Sequence, residues 1–467
     1  MLLANLLLAL IVLCGSIYLL WPVFSGNSKP RWIDYLPAVS MGLLIVQIAF
    51  FGFQAVLIGL YLFCLMIFLP TIRRLMHPSK PEPVAHRGRK IAAGVFGSLI
   101  LLTCLIPQAL LPIAYDVPMP TGPYAIGTVV YGWEDSSRLE AFTPNDPADH
   151  RKIAVQFWYP IEKEKNDVLG EVKENARVDM SRERYPLLVF SHGAFGFRGS
   201  NLSTYMELAS QGYIVASIDH AYHAFYTAYP DGSSAIISQE FLMQVQQNQA
   251  GELSEAQSRT ASFDWLDLRT ADIIFTLDQV EVLDSGPLAG RIDLEKIGLL
   301  GHSLGGAASA AVCREDSRCK AAAVIDGTMI GEYPRDAAGG SMLEEPFPAP
   351  LINFYNGDTF HATSEHLGYE SNLYAAEHAA GPAYNVVVNG AQHLNFTDLP
   401  ARAPVLAKLL GQAMTVNGGT AGAIAQARCT EILNRYLVAF FDQELLGKSA
   451  PLLSGEAVYA EVDFTGK

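Results

Sequence analysis

A serine framed by glycines is the most reactive arrangement this chain offers: Gly301-His302-Ser303-Leu304-Gly305-Gly306. The apolar segment Glu295-Lys296-Ile297-Gly298-Leu299-Leu300 before it has strand length. The Ala-rich stretch Ala307–Val312 after it favours helix. A serine at such a strand-to-helix turn is a nucleophile elbow, so tight that only glycine fits two residues to either side. Ser303 Oγ then stands above the sheet, and the helix behind it points its positive end at the oxyanion formed in acyl transfer. A bare G-x-S-x-G arises by chance in roughly one chain in ten of this length, so the flanking elements carry the weight.

A serine hydroxyl needs a base, and the base needs an orienting acid. In this arrangement the order along the chain is Ser, acid, His. Four histidines follow Ser303: His361, His366, His378 and His393. His393 fits best, because Val386-Val387-Val388 reads as a strand and Asn389–Gln392 as the loop that lifts the imidazole over the sheet. Two acids compete. Asp326 ends the strand Ala321–Ile325, and Asp358 ends the next, in Asn356-Gly357-Asp358. Spacing alone does not choose. His302 is expected to point away from the nucleophile, and His192, His220 and His223 to be structural loop residues.

These residues require a scaffold, and residues 116–467 supply its pattern. Strands are expected over Tyr124–Tyr131, Ile153–Tyr159, Tyr185–Ser191, Tyr213–Ile218, Ala321–Ile325, Leu351–Tyr355 and Tyr384–Val388. Helices are expected over Leu202–Gln211, Trp265–Leu283 and Thr430–Leu445. Strand alternating with helix predicts an α/β fold, an α/β-hydrolase with a mostly parallel sheet covered on both faces. The stretch from His220 to Phe263 is too long for a plain loop and contains the amphipathic Gln239–Val245. A lid over the site and a solvated surface helix are both open readings of it.

Several segments together resemble the platelet-activating-factor acetylhydrolases of the secreted and type II kind. They are Thr121-Gly122-Pro123-Tyr124, Val155–Pro160, Val189-Phe190-Ser191-His192-Gly193, Gly301–Gly306, Ile325-Asp326-Gly327 and Gly390–Phe396. The likeness covers most of residues 120–400. It implies hydrolysis of a carboxylic ester, Asp326 as the triad acid, and oxyanion donors at the backbone N–H groups of Ala194 and Leu304. The backbone N–H after the nucleophile and one from a loop after an earlier strand are also where such a fold places these donors. No metal or organic cofactor is implied.

Residues 1–115 differ in kind. They hold eight Lys and Arg against two Asp and Glu, a formal +6; the whole chain carries −15, which leaves −21 on residues 116–467. So acidic a domain is a poor partner for nucleic acid. About 20 apolar residues span a bilayer. Four spans are expected, near residues 2–23, 36–51, 54–70 and 91–114, with three as the alternative. Leu36–Pro70 contains no charge and would make one helix of roughly 52 Å, so a hairpin around Phe51-Gly52-Phe53 is expected. The first segment lacks a basic start and a small-residue cleavage site and is read as retained. The basic stretch Arg73, Arg74, Lys80, Arg87, Arg89, Lys90 should stay cytoplasmic, which places the catalytic domain outside.

Of six cysteines, Cys313 and Cys319 lie close together in the outward domain, and a local disulfide or two free thiols are both consistent with the spacing. The reading is a membrane-embedded serine esterase acting on a small ester or lipid. A catalytically idle membrane sensor or scaffold with the same fold is the rival. Nothing in the sequence speaks to oligomeric state.

Overall fold

The computed structural model describes residues 2–24, 30–51, 57–76, 95, 97, 118–164, 170–335, 341–362, 366, 368–404, 407–408, 422–455 and 457–467. Two units divide the chain, Met1–Asp116 with Ala401–Leu406, and Val117–Pro400 with Ala407–Lys467.

In the first unit, long apolar runs form helices over Leu2–Phe24, Leu36–Phe51 and Ile58–Met76, with a 3-10 turn at Arg31–Tyr35. Ile11, Leu44, Leu60 and Phe63 pack between them, and Trp21 meets Trp32 edge-on at 5.7 Å. Leu13, Ile45, Leu62, Leu65 and Leu69 remain exposed. Among the described residues one window, Trp32–Ala49, is long and apolar enough to cross a membrane; Leu7–Trp21 and Ile58–Arg73 are shorter apolar stretches. Apart from residues 95 and 97, the segment expected at 91–114 lies outside the described residues, as does most of the hairpin near Phe51–Phe53.

The third helix runs on past residue 70, where the expected span ends. It continues through Pro70 to Met76, taking Arg73 and Arg74 out of the basic loop. Proline removes one backbone donor, but the Thr71 hydroxyl donates to Ile67 O at 2.9 Å and lies 3.0 Å from Tyr18 Oη, which holds the turn together.

Among the described residues the second unit is built on twelve strands: β1 Ala125–Leu139, β2 His150–Ile161, β3 Val172–Glu174, β4 Tyr185–Ser191, β5 Ile214–Asp219, β6 Tyr226–Ala228, β7 Ser234–Ile236, β8 Ile292–His302, β9 Cys319–Ile325, β10 Leu351–Asn356, β11 Ala383–Val388 and β12 Val462–Gly466. Ten form one sheet in the order β12-β11-β10-β9-β8-β4-β5-β2-β1-β3, and β6 and β7 make a separate hairpin. From β5 across to β11 all neighbours are parallel; β2 and β12 close the parallel block with antiparallel pairings.

Side-chain alternation divides the core between the two faces. Leu187, Val189, Leu299 and Val324 face the helices Glu255–Glu281 and Leu304–Glu315. Leu188, Phe190, Leu300 and Ile325 face Leu202–Ser210 and Gln426–Leu446. The strand order reverses at β4, since β5 lies on one side and β8 on the other. In open parallel sheets the crevice at such a switch point, beyond the strands' carboxyl ends, is the binding site. Cys313 and Cys319 are joined as a disulfide between the Leu304–Glu315 helix and β9, with Cα atoms 5.1 Å apart.

Candidate active site

Ser303 follows β8 directly and caps the helix Leu304–Glu315, with φ +54° and ψ −127°. A non-glycine residue at positive φ is strained and persists only where its surroundings hold it. Its N–H donates to Ile325 O at 2.8 Å, tying the elbow to β9. The glycines are obligatory. A Cβ on Gly305 would lie 2.0 Å from Ser191 O, and one on Gly301 would lie 2.4 Å from the Gly305 carbonyl.

The loop after β4 runs beside the elbow. A Cβ on Gly193 would come within 2.8 Å of His302 Nδ1 and 3.2 Å of Ser303 Cβ, so glycine alone lets the loop approach this closely. The chain bends sharply at Phe195, φ +63°. Among the described residues the N–H groups of Ala194 and Leu304 have no protein acceptor. Leu304 opens its helix, where such groups are free by construction.

The two candidate acids part company here. Asp326 follows β9 at φ +52° and is buried. His393 Nδ1 donates to its Oδ2 at 2.7 Å. Tyr369 Oη donates at 2.6 Å and the Asn356 backbone N–H at 2.9 Å, both to Oδ1, while the Asn356 side-chain amide reaches both oxygens. Burial works to raise the pKa of this carboxyl, but the hydrogen bonds from His393, Tyr369 and Asn356 prevail and hold it below the usual range. Asp358, in a short turn after β10, instead accepts from Gln392 Nε2 at 2.9 Å. His361 bonds Asn389, His366 bonds Phe360 O and His378 bonds Tyr374 O; none of the three meets Asp326.

The His302 ring lies against that of His393 at 4.5 Å, and its Nε2–H donates to His393 O at 3.1 Å. Burial and the neighbouring His393 charge lower its pKa to about 3. A neutral ring thus braces the loop that carries His393.

Behind the loop after β4 lies a buried polar network. Asp272 accepts from Arg151 Nε and Nη2 at 3.1 and 2.7 Å, and from His220 Nδ1 at 3.0 Å. His220 Nε2 accepts from Ser191, and its backbone N–H donates to His192 Nε2. Arg269 donates to the carbonyls of His192 and Gly193. The roles of Tyr369, Asn356, Arg151, Arg269 and Asp272 escaped the sequence reading, in which His192 and His220 are structural loop residues. Arg269 and Asp272 did leave a signal, since both fall on the apolar stripe of Leu266, Ile273 and Leu277.

The segment at 220–263 folds as the β6–β7 hairpin, a helix Gln239–Gln249 capped by Ser238, and the start of Glu255–Glu281. Phe241 and Val245 pack with Trp265 against Ala194, Phe195 and Leu304.

A parallel block with helices on both faces and a strained serine elbow after a central strand defines an α/β-hydrolase. The model of the family described as platelet-activating factor acetylhydrolase, isoform II, matches residues 152–450, and the chain belongs to that family. A platelet-activating factor acetylhydrolase of Cavia porcellus is 25% identical over 370 residues, 70% of this chain and 78% of the relative. A probable 1-alkyl-2-acetylglycerophosphocholine esterase of Arthroderma benhamiae is 28% identical over 304 residues, 64% and 71% of the two chains. Among solved structures, a ferulic acid esterase from Streptomyces cinnamoneus superposes with a TM-score of 0.58 at 26% identity, covering 75% of this chain and 99% of that one. The protein is a carboxylic ester hydrolase.

Proposed function

We propose a membrane-anchored serine esterase that removes a short acyl group from a lipid or phospholipid ester, with Ser303 as nucleophile, His393 as base and Asp326 as its orienting acid. The observation that carries this reading is the 2.7 Å bond from His393 Nδ1 to a buried, multiply hydrogen-bonded Asp326. That bond fixes the proton on Nδ1 and leaves Nε2 free to accept one.

Ser303 Oγ attacks the ester carbonyl while His393 Nε2 takes its proton. The Ala194 and Leu304 amides hold the tetrahedral oxyanion. Collapse expels the alcohol, which receives the proton from His393. Water, deprotonated by the same imidazole, then releases the acid and restores Ser303. The relatives' names, acetylhydrolase and acetylglycerophosphocholine esterase, support an acetyl or similarly short acyl group. The Phe241, Val245 and Trp265 cluster against the oxyanion residues supports a lid role for residues 220–263.

Anchoring is read from the first unit. Trp32–Ala49 meets the length and composition of a span, and the exposed leucines of the neighbouring helices suit a lipid environment. An outward catalytic domain is supported by the basic stretch before it and by the Cys313–Cys319 disulfide, which persists in oxidising compartments.

The test is a fluorophosphonate probe followed by p-nitrophenyl esters of increasing acyl length. Wild type should be labelled and should prefer acetyl to butyryl chains; Ser303→Ala should be neither labelled nor active while folding normally. Labelling of Ser303→Ala at the wild-type rate would end the assignment. A C-terminal reporter active only outside the cytoplasm tests the topology.

A further inference from the structure

The buried guanidinium of Arg269 has no part in the steps above, and its surroundings are unusual. It is wholly buried on the helix Glu255–Glu281. A buried charge is costly unless paired, yet among the described residues no carboxylate lies within salt-bridge distance of Arg269. Asp272, one turn further along, is taken up instead by Arg151, Arg138 and His220. The donors of Arg269 go to neutral groups: Nη1 to His192 O, Nη2 to Gly193 O at 3.3 Å, and Nε to His223 Nδ1 at 3.5 Å. Burial lowers its pKa to about 9, which leaves it charged at neutral pH.

Gly193 O is a crowded acceptor. Besides Arg269, it takes the His192 Nδ1–H at 2.7 Å and the Gly196 N–H at 3.1 Å. The His192 proton sits on Nδ1 because Nε2 already accepts from the His220 backbone. This carbonyl belongs to the same trans peptide as the Ala194 N–H, and the two groups point in opposite directions. Donors pulling on the oxygen polarise the whole unit and strengthen its N–H as a donor.

We propose that Arg269 is a positioning residue for the oxyanion hole: together with His192 it locks the Gly193–Ala194 peptide and polarises the Ala194 N–H toward the ester oxyanion on Ser303. The inference rests on the serine-esterase reading. It assigns the cation a role that appears only as negative charge develops, so the effect falls on the transition state more than on ester binding.

The full chain, in detergent, is assayed as Arg269→Gln, Arg269→Lys and His192→Phe with p-nitrophenyl acetate. Rates are expressed per active site, counted by fluorophosphonate labelling carried to its end point. Losing an oxyanion donor outright costs about 10²–10³ in kcat; weakening one should cost on the order of 10 to 100. Arg269→Gln should therefore lower kcat per site by that factor, with KM within about threefold. The inhibition constant of a trifluoromethyl ketone, which forms the oxyanion adduct, should rise in parallel. Arg269→Lys should recover part of both, since an ammonium still supplies charge and donors. His192→Phe should shift both in the same direction, and it decides the matter if Arg269→Gln does not fold. Unchanged kcat per site and unchanged ketone affinity, with only a lowered Tm, would reduce Arg269 to a brace and overturn the inference. Ser303→Ala separates the two levels. If it is inactive while the Arg269 variants behave as wild type, the inference alone fails; if it still hydrolyses the ester, the esterase reading fails with it.

Discussion

Replacing Asp326 by asparagine changes one atom, and the surrounding donors dictate where that atom goes. Tyr369 Oη and the Asn356 backbone N–H both aim at Oδ1, at 2.6 and 2.9 Å. An asparagine must therefore keep its oxygen there and turn its NH₂ into the place of Oδ2. That place faces His393 Nδ1 at 2.7 Å. Two donors cannot share the position, so the imidazole proton moves to Nε2, the atom that has to accept the proton of Ser303. The negative charge that would steady the imidazolium is lost as well. Such a tautomer error costs about 10⁴ in kcat, roughly 5.5 kcal/mol of transition-state stabilisation. We expect Asp326→Asn to lower kcat on p-nitrophenyl acetate by at least about a thousandfold. Asp358→Asn, which alters only a bond to Gln392, should lower it by no more than about tenfold. The assay is steady-state hydrolysis by variants with matched circular dichroism, and the reverse order of effects would refute the reasoning.

Tyr369→Phe removes one of several donors to Asp326 and should lower kcat by about tenfold or less, measured on the same ester. Gly193→Ala brings a methyl against His302 and Ser303 and should cost at least tenfold in kcat with little change in Tm. Replacing both Cys313 and Cys319 by alanine should destabilise the domain by about 2 kcal/mol, the chain-entropy value for so short a loop, read from urea unfolding. Stability should also fall in mild acid. His192, His220, His223 and His302 are buried and held neutral, His220 at about 4 and His302 at about 3. Their folded values lie below the unfolded value near 6.5, so the unfolded chain binds protons first. The stability they confer is complete above pH ~6.5 and drains away toward pH ~4, by about 3 kcal/mol for His220 alone. Asp219, lifted by burial to about 6, opposes this by a smaller amount. A Tm that stays level from pH 7 to 4.5 would contradict the balance.

The sequence revealed those features whose chemistry is local. The elbow is legible because a serine at φ +54° between a strand and a helix tolerates nothing larger than glycine at Gly301 and Gly305. The parallel strands are legible because, buried on both faces, they are continuous apolar runs. The helix Glu255–Glu281 begins ten residues before the expected Trp265, at a capping box in which Ser254 and Gln257 satisfy each other's backbone N–H, a signal present in the sequence. The short edge strand β12 was not legible, being five residues with a single buried side chain. The two acids could not be separated by spacing because each ends a strand. The partners that separate them, Tyr369 and Asn356, come from elsewhere in the chain and meet only in the fold.

The strain at this site has a common location and a common restraint. Ser303, Asp326 and Phe195 are non-glycine residues at positive φ, and they follow the carboxyl ends of β8, β9 and β4, three adjacent strands. Each such residue costs on the order of 1–3 kcal/mol, and a single loop would relax it. Here the loops restrain one another. Ser303 N–H donates to Ile325 O, Asp326 N–H donates to Phe354 O, and Gly327 passes so close to Ser303 that a Cβ would lie 2.2 Å from its carbonyl. Gly193 is pressed against His302 and Ser303 from the other side. The elbow is therefore held between two neighbouring loops, and neither can relax without displacing it. That interlock depends on strand order rather than on any single motif. It follows that Phe195, Ser303 and Asp326, at consecutive positions of the parallel block, hold one another in their strained conformations.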